Sequence, residues 1–421
     1  MRVLALQFYR FAIVATIAWL IRDVAVRQRT QGESPVTASE VVSLLPDAAS
    51  LRPDDSARDG LFVLDRAGRE LGYVVRTQPR CRDIIGYAGT TDALVVLDRD
   101  WKILGLKIHA SEDTTSYIQD IAVDRRFLKK WNGLTWDAAA ALDLKAAGIE
   151  GVSGATMTSM AIAQSVKARL QSSRDEIVGA AAFRFAWRDA ALVIVLVLAG
   201  VMAFGRPAWR HRWKRPYQVF LVVYVGLIAG DLLAQKLLVG WTRSGIPWTT
   251  APGLVLLAVA ALLVPWTTRH PFYCHHVCPH GAAQELLGAI RPRRWQVTLP
   301  ASVIRGLEFL PGALLAFTVV MAAVALPFDL AGLEPFAAYI IRSAGIATLT
   351  VAALGLVASL FVPQAYCRFG CPTGALLNFV RARGATDRFS RRDAAALGLV
   401  ALAALLNWKY LSLALWIKGT A

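Results

Sequence analysis

Six times between residue 190 and the C-terminus the sequence runs apolar for close to the ~20 residues that an α-helix needs to cross a hydrocarbon layer. The runs lie at about 190–204, 217–238, 252–268, 308–327, 344–363 and 394–417, the last interrupted by Lys409. A chain with that pattern must place its second half in lipid, because helices apolar on all sides cannot all be buried by one soluble core. With 56% hydrophobic and 18% charged residues in 421, a purely soluble protein is excluded.

Charge divides the chain at the same place. Residues 22–180 carry 21 basic and 22 acidic side chains, the remainder 25 basic and 8 acidic, so the net +16 belongs to the membrane half. A nucleic-acid binder would gather that charge on a folded face, so no nucleic-acid partner is expected. The loops at 205–216, 269–305 and 364–393 hold 5, 5 and 6 Lys/Arg, whereas those at 239–251 and 328–343 hold only Arg243 and Arg342. By the positive-inside rule the basic loops face the cytoplasm, with Arg184 and Arg188 outnumbered in the other direction. Trp241, Trp248, Trp266 and Tyr339 read as interfacial belt residues.

At the N-terminus Arg2 and Arg10 flank a short apolar run, Phe11 to Ile21. Arg22 and Asp23 follow it directly without a clean small-x-small cleavage site, so residues 1–21 are expected to be an anchor. Residues 22–180 then fall outside, in the periplasm of a Gram-negative cell, ahead of a helical bundle at 185–421. Alternating segments at Leu61–Leu64, Tyr73–Arg76 and Leu94–Leu97, with turns at Ala67-Gly68 and Arg99-Asp100, predict strands. Asp137–Ala147 and Met157–Gln171 have helical spacing. The fold class is an α+β extracytoplasmic domain plus an all-α polytopic bundle of about six to seven spans.

Within the bundle a motif repeats. Tyr273-Cys-His-His-Val-Cys-Pro-His-Gly-Ala and Tyr366-Cys-Arg-Phe-Gly-Cys-Pro-Thr-Gly-Ala share Tyr, both Cys, Pro, Gly and Ala, and each follows an apolar run ending near a Val-Pro. Two such halves on one side of the membrane imply a pseudo-twofold axis along its normal, which would bring the motifs face to face. Cys274, Cys278, Cys367 and Cys371 then satisfy the four-thiolate requirement of one shared iron-sulfur cluster, and equally that of a structural zinc. The spacing puts each pair either on one helical face or across a tight turn ended by the Pro. His275, His276 and His280 neighbour the first pair, but Arg368, Phe369 and Thr373 replace them in the second, so a polar surface is the simpler reading. All six histidines lie outside the apolar runs, which leaves a bis-His haem without ligands.

Late in the outer domain stands Glu150-Gly151-Val152-Ser153-Gly154-Ala155-Thr156-Met157-Thr158-Ser159, opening a helix. Small residues there permit close backbone approach, and hydroxyls at a helix N-terminus cap it or hold a phosphate. The run Ser153-Gly154-Ala155-Thr156 resembles the flavinylation motif of the FMN-binding domain in subunits of the sodium-pumping NADH:quinone reductase, the Rnf complex and NosR-like proteins. That resemblance implies FMN bound covalently through a phosphoester to Thr156, attached by a flavin transferase that uses FAD, with Ser153, Gly154, Ala155, Thr158 and Ser159 around it. Ile85-Gly86-Tyr87-Ala88-Gly89 and the strand at Ile103–Ile108 are also similar to this domain. The sequence departs from it at Glu150, where Asp is common, and at Glu112–Tyr117, where a Glu-Thr-Pro-Gly-like segment often stands.

The paired C-x3-C-P motifs resemble those of NosR-like quinol-oxidising membrane proteins, so the order of anchor, flavin domain and bundle is similar to theirs over most of the chain. Those relatives continue into C-x2-C-x2-C-x3-C ferredoxin runs, and the sequence in hand ends at Ala421 before one. Cytoplasmic exchange is therefore expected to use a separate electron donor or a quinone. The resemblance implies a bacterial inner-membrane electron-transfer flavoprotein feeding a periplasmic acceptor; the alternative is a redox sensor, regulator or maturation factor for a periplasmic respiratory metalloenzyme. A transporter would need intramembrane charges, for which Asp231 and Lys236 are the candidates. Cys81, between Arg80 and Arg82, reads as packed and inert.

Overall fold

The computed structural model describes residues 2–30, 35–172, 185–326, 328–340, 344–383 and 387–410, so the boundary near 180, Arg184, Arg342 and the end of the last expected span lie outside the described residues. The chain forms two compact units, one of Gln28–Phe183 with Arg243–Thr250 and one of everything else.

The first unit is built on a five-stranded antiparallel meander in the order β1 (Ser50–Pro53), β2 (Leu61–Leu64), β3 (Glu70–Arg76), β4 (Thr91–Leu97) and β5 (Ile103–Ser111). Three of the connections are short, while β3 and β4 are joined by the longer segment 77–90, and the registers pair Ser50 with Leu64, Tyr73 with Leu97 and Val95 with Leu106. β4 is buried at every position. The reason is that both faces are covered: Leu94 and Val96 join Val41, Val63 and Val74 in one core layer, and the helix Thr156–Gln171 contacts the strand. A strand covered on both faces reads as a continuous apolar run, as Ala93–Leu97 does.

Helix Thr156–Gln171 is tied to the sheet by its one buried arginine. Arg169 donates from Nε to the carbonyl of Arg76 and from Nη2 to those of Arg58 and Asp59. Its desolvation pushes the guanidinium pKa down to about 10. The helix expected over 137–147 is shorter, Trp136–Ala141, because Asp143 turns back to accept from the amides of Lys145 and Ala146 and starts a separate turn.

Among the described residues of the second unit, three helices are long and apolar enough to cross a membrane: Leu4–Gln28, Trp187–Phe204 and Ala301–Val324. Pro252–Thr268 and Ile346–Ser359 are shorter apolar helices, and Arg391–Trp408 covers the described part of the last expected span. The segment expected as one span at 217–238 differs. Helix Pro207–Phe220 continues as a wider-wound stretch, Leu221–Ala229, stops at the left-handed Gly230, and resumes only as Gln235–Ser244.

That break is buried and its backbone is satisfied by side chains from elsewhere in the unit. The Leu233 amide donates to Tyr273 Oη at 2.8 Å, and the Gln235 amide to Glu334 Oε2 at 2.6 Å. Irregular backbone at membrane depth is tolerated only when protein groups replace water in this way.

Candidate functional site

Each unit holds one candidate site, and the sulfur site lies wholly within the helical unit. Cys274 sits on the short helix Phe272–His276 and Cys278 caps the next helix, Pro279–Ile290; Cys367 and Cys371 repeat this on Ala365–Phe369 and Pro372–Val380. The proline after each second cysteine explains the arrangement. It disfavours helical backbone at the residue before it, here ψ 116° at Cys278 and 107° at Cys371, and is itself suited to a helix's first turn. Each pair therefore spans a tight turn, not a helical face.

All four cysteines line one cavity of about 270 Å³. Position 281 is glycine for a reason internal to the first half: a Cβ there would stand 2.7 Å from the Cys274 carbonyl oxygen, while Cys367 Sγ of the second half would lie at an ordinary contact distance of 3.8 Å. The N-terminal turns of the following helices point amides at the sulfurs, and Gly374 N–H donates to Cys371 Sγ at 3.1 Å. Gln284 Nε2 reaches across to Cys367 Sγ at 3.0 Å.

A single zinc ion would need its sulfurs about 2.3 Å from one point. Among the described residues no three Cys, His, Asp or Glu side chains converge in that way. Four cysteines lining one cavity supply the ligand number of an iron-sulfur cluster, with each cysteine able to bind one iron.

Polar residues pack behind the sulfurs. His280 is fully buried, its Nδ1 is 3.1 Å from Tyr339 Oη, and its ring meets Tyr366 edge to face. Among the described residues its Nε2 has no hydrogen-bond partner. Glu334 accepts from Thr373 Oγ1 at 2.5 Å as well as from the Gln235 amide. Glu334 and Tyr339 belong to the loop expected at 328–343 on the opposite side of the membrane from the motifs. In the structure that loop folds inward in two short turns, Leu330–Leu333 and Phe336–Tyr339, to reach them. Tyr339 is thus a partner of His280 and Trp241 is buried, unlike the interfacial residues expected, while Trp248 is exposed.

In the sheet unit, Ser153-Gly154 forms an exposed turn with Gly154 at φ 88°, a conformation that disfavours any side chain, and Thr156 opens helix Thr156–Gln171. Thr156 is half-buried, with Oγ1 donating to the Val152 carbonyl at 3.2 Å. Thr158 and Ser159 face inward. Ser159 Oγ donates to the Ala155 carbonyl and accepts from the Val152 amide, which closes the turn onto the helix. Thr158 donates to Asp113 Oδ2 at 2.7 Å. Of the expected flavin-site residues, Ser153 and Thr156 present hydroxyls near the surface, Gly154 and Ala155 shape the turn, and Thr158 and Ser159 hold it.

Asp113 is the residue that the sequence did not disclose. It is 3% exposed and accepts from the amides of Tyr87 and Ala88 in addition to Thr158. It also accepts from the Thr114 amide, so one carboxylate joins the Gly86–Gly89 turn, the end of β5 and the helix start. The only lexical hint is its place before Thr114-Thr115 at a helix start. Tyr87 and Tyr117 stand beside it as an aromatic pair 5.6 Å apart. Glu112 accepts from Ser244 Oγ at 2.5 Å, within the part of this unit supplied by Arg243–Thr250.

Cys81 is away from both sites. It is fully buried, its Sγ donates to the Ser165 carbonyl, and burial pushes the thiol up to about 12, despite Arg169 and Arg80 nearby. That is the packed, inert cysteine expected.

Comparison with known proteins gives a domain match over part of each unit. Residues 86–171 match the FMN-binding domain, and residues 250–298 and 344–391 match the 4Fe-4S binding domain. YccM of Escherichia coli, which bears an electron-transport name, is 28% identical over 46% of this chain and 58% of its own. Protein NirI of Paracoccus denitrificans is 31% identical over 44% of this chain and 30% of its own. Regulatory protein NosR of Pseudomonas aeruginosa is 31% identical over 44% and 28%. The chain thus spans between about a quarter and three-fifths of the length of these relatives. No solved structure matches. The chain combines an FMN-binding domain with a 4Fe-4S binding region and, among the described residues, candidate membrane helices.

Proposed function

We propose that this chain is a membrane electron-transfer flavoprotein that passes electrons between a cytoplasmic donor or membrane quinol and a periplasmic acceptor. Cys274, Cys278, Cys367 and Cys371 would hold an iron-sulfur cluster, and Thr156 would carry FMN as a phosphoester. The observation that carries this reading is that the two repeated cysteine pairs line a single cavity in a chain that also holds an FMN-binding domain. A cluster moves one electron at a time and a flavin accepts one or two, so the pair would join one-electron and two-electron partners.

The protein's own groups fit these roles. Gly374 and Gln284 donate to motif sulfurs and would stabilise anionic ligands. Thr156, at the first position of a 16-residue helix, would place a flavin phosphate where the helix dipole favours it. Asp113 orients the flavin turn without facing the phosphate, since its oxygens are already committed to Tyr87, Ala88, Thr114 and Thr158.

The inner-membrane placement, with the sheet unit in the periplasm, is part of the same reading. It is supported by the charge-poor loop Arg243–Thr250, which belongs to the sheet unit, while the three basic loops belong to the helical one. The folding of the loop at 328–340 onto the cysteine motifs supports a cluster enclosed within the helical unit and set back from the cytoplasmic surface.

The test is in-gel flavin fluorescence of the denatured protein made with a flavin transferase, comparing wild type with Thr156→Ala. Fluorescence in the wild type that disappears in the variant supports the covalent flavin. A fluorescent variant, or a dark wild type, removes it. Similarity to the regulatory protein NosR favours a second reading, a redox regulator. An electron carrier reoxidises its flavin at steady state with a periplasmic acceptor, whereas a sensor has no need of sustained turnover.

A further inference from the structure

The two halves of the sulfur site are not equivalent, and the difference lies in one side chain. The sixth residue after the second cysteine is Gln284 in the first half and Leu377 in the second. Both halves provide backbone donors to the capping cysteine, from His280 and Gly281 at Cys278 and from Gly374 at Cys371. Only the first half places an amide side chain at that position, and it crosses to the other half, Nε2 lying 3.0 Å from Cys367 Sγ.

The orientation of this amide is set by its neighbours. Gln284 is 1% exposed, and its Oε1 accepts from the backbone N–H of Tyr366 at 3.1 Å and from Ser359 Oγ at 2.8 Å. A backbone N–H can only donate, so the oxygen must face Tyr366 and the NH₂ must face the sulfur. Because Tyr366 immediately precedes Cys367, the same residue that holds the carbonyl of the amide positions the ligand that receives its proton.

We infer that Gln284 is a positioning and tuning residue for the cluster: its N–H···S bond to Cys367 stabilises the reduced, more negative state and makes that iron-sulfur edge electronically distinct from the Cys274 side. The inference rests on the reading of the four cysteines as cluster ligands. Uptake of one electron adds one negative charge to the cluster and its thiolates, and a hydrogen bond to a sulfur lowers the cost of that charge. Leu377 shows that an apolar side chain fits the equivalent place, so loss of the donor need not undo the fold.

The experiment uses the full-length protein in detergent, purified anaerobically. Iron and acid-labile sulfide in the wild type are measured first; their absence overturns the cluster reading and this inference with it. With the cluster present, redox titrations against dithionite compare wild type with Gln284→Leu and Gln284→Met, followed by visible absorbance and EPR. The expected result is wild-type iron content with reduction about tenfold less favourable, a midpoint lower by about 59 mV for one electron. Ser359→Ala removes a packing partner but leaves the amide held by Tyr366, and its midpoint is expected to stay near wild type. A Gln284 variant with full iron and an unchanged midpoint overturns the inference while leaving the cluster standing. Should both Gln284 variants lose iron, wild type labelled with ¹⁵N at the glutamine side-chain amides decides by pulsed EPR of the reduced cluster. A coupled glutamine nitrogen supports the bond, and its absence overturns it.

Discussion

Asp113 gathers three backbone amides and one hydroxyl, and removing its carboxylate takes away the acceptor of all four bonds at once. Losing the acceptor of a buried donor costs about 1–3 kcal/mol where nothing replaces it. Asp113→Ala is therefore expected to destabilise the sheet unit by on the order of 3 kcal/mol and to lower flavin incorporation, whereas Asp113→Asn keeps an accepting oxygen and loses less. Thermal unfolding followed by intrinsic fluorescence, read beside in-gel flavin fluorescence, checks both effects. Thr156 was singled out in the sequence because the contiguous run Ser153-Gly154-Ala155-Thr156 resembles a flavinylation motif. Asp113 and Gln284 were not. Each acts on residues far away in the sequence, and an Asp before a helix or a Gln on one has ordinary uses at almost any position.

Among the elements, strands at 61–64, 73–76 and 94–97 and the helix at 157–171 were read from periodicity, which local sequence carries directly. The helix break at 230–234 was hidden because the stretch around it is as apolar as a continuous span; what interrupts it is Tyr273 and Glu334 supplying hydrogen bonds from other segments. Tyr273→Phe leaves the Leu233 amide buried without its acceptor and is expected to cost about 1–3 kcal/mol, seen as a lower unfolding temperature in detergent. In the sheet unit, burial tends to raise the Glu40 pKa, but hydrogen bonds with His109 and Thr37 outweigh it and hold the carboxyl below its usual 4.5. A carboxyl depressed in the fold stabilises above the unfolded value and loses that contribution as pH falls through the folded one. Glu40→Gln is thus expected to be less stable than wild type at neutral pH, with the gap closing as pH drops below about 4.5, measured by unfolding at stepped pH.

Across the helical unit, the first and last described helices are locked together. Arg10 lies 2.9 Å from Asp387 and 2.7 Å from Asp393, all three nearly fully buried, and Asn407 donates to the Leu20 carbonyl further along the same two helices. Arg10→Ala would strand two buried carboxylates, at a cost of about 3–5 kcal/mol; a large fall in the unfolding temperature in detergent is the expected outcome, and a small one would mean that the pair is hydrated. In the sequence Arg10 read only as a flank of an apolar anchor, since nothing local discloses a partner some 380 positions away. The amino-acid sequence by itself determined what depends on neighbours along the chain: where lipid-compatible runs lie, which loops are basic, where strands alternate, and that two C-x3-C-P motifs repeat. Tertiary structure decided what depends on neighbours in space. It drew the four thiols around one cavity, broke an apolar run to feed Tyr273 and Glu334, folded Tyr339 inward to His280, and aimed Gln284 at Cys367. The physical reason is that a buried polar group must find its partner wherever the fold supplies one, and no local pattern encodes that distance.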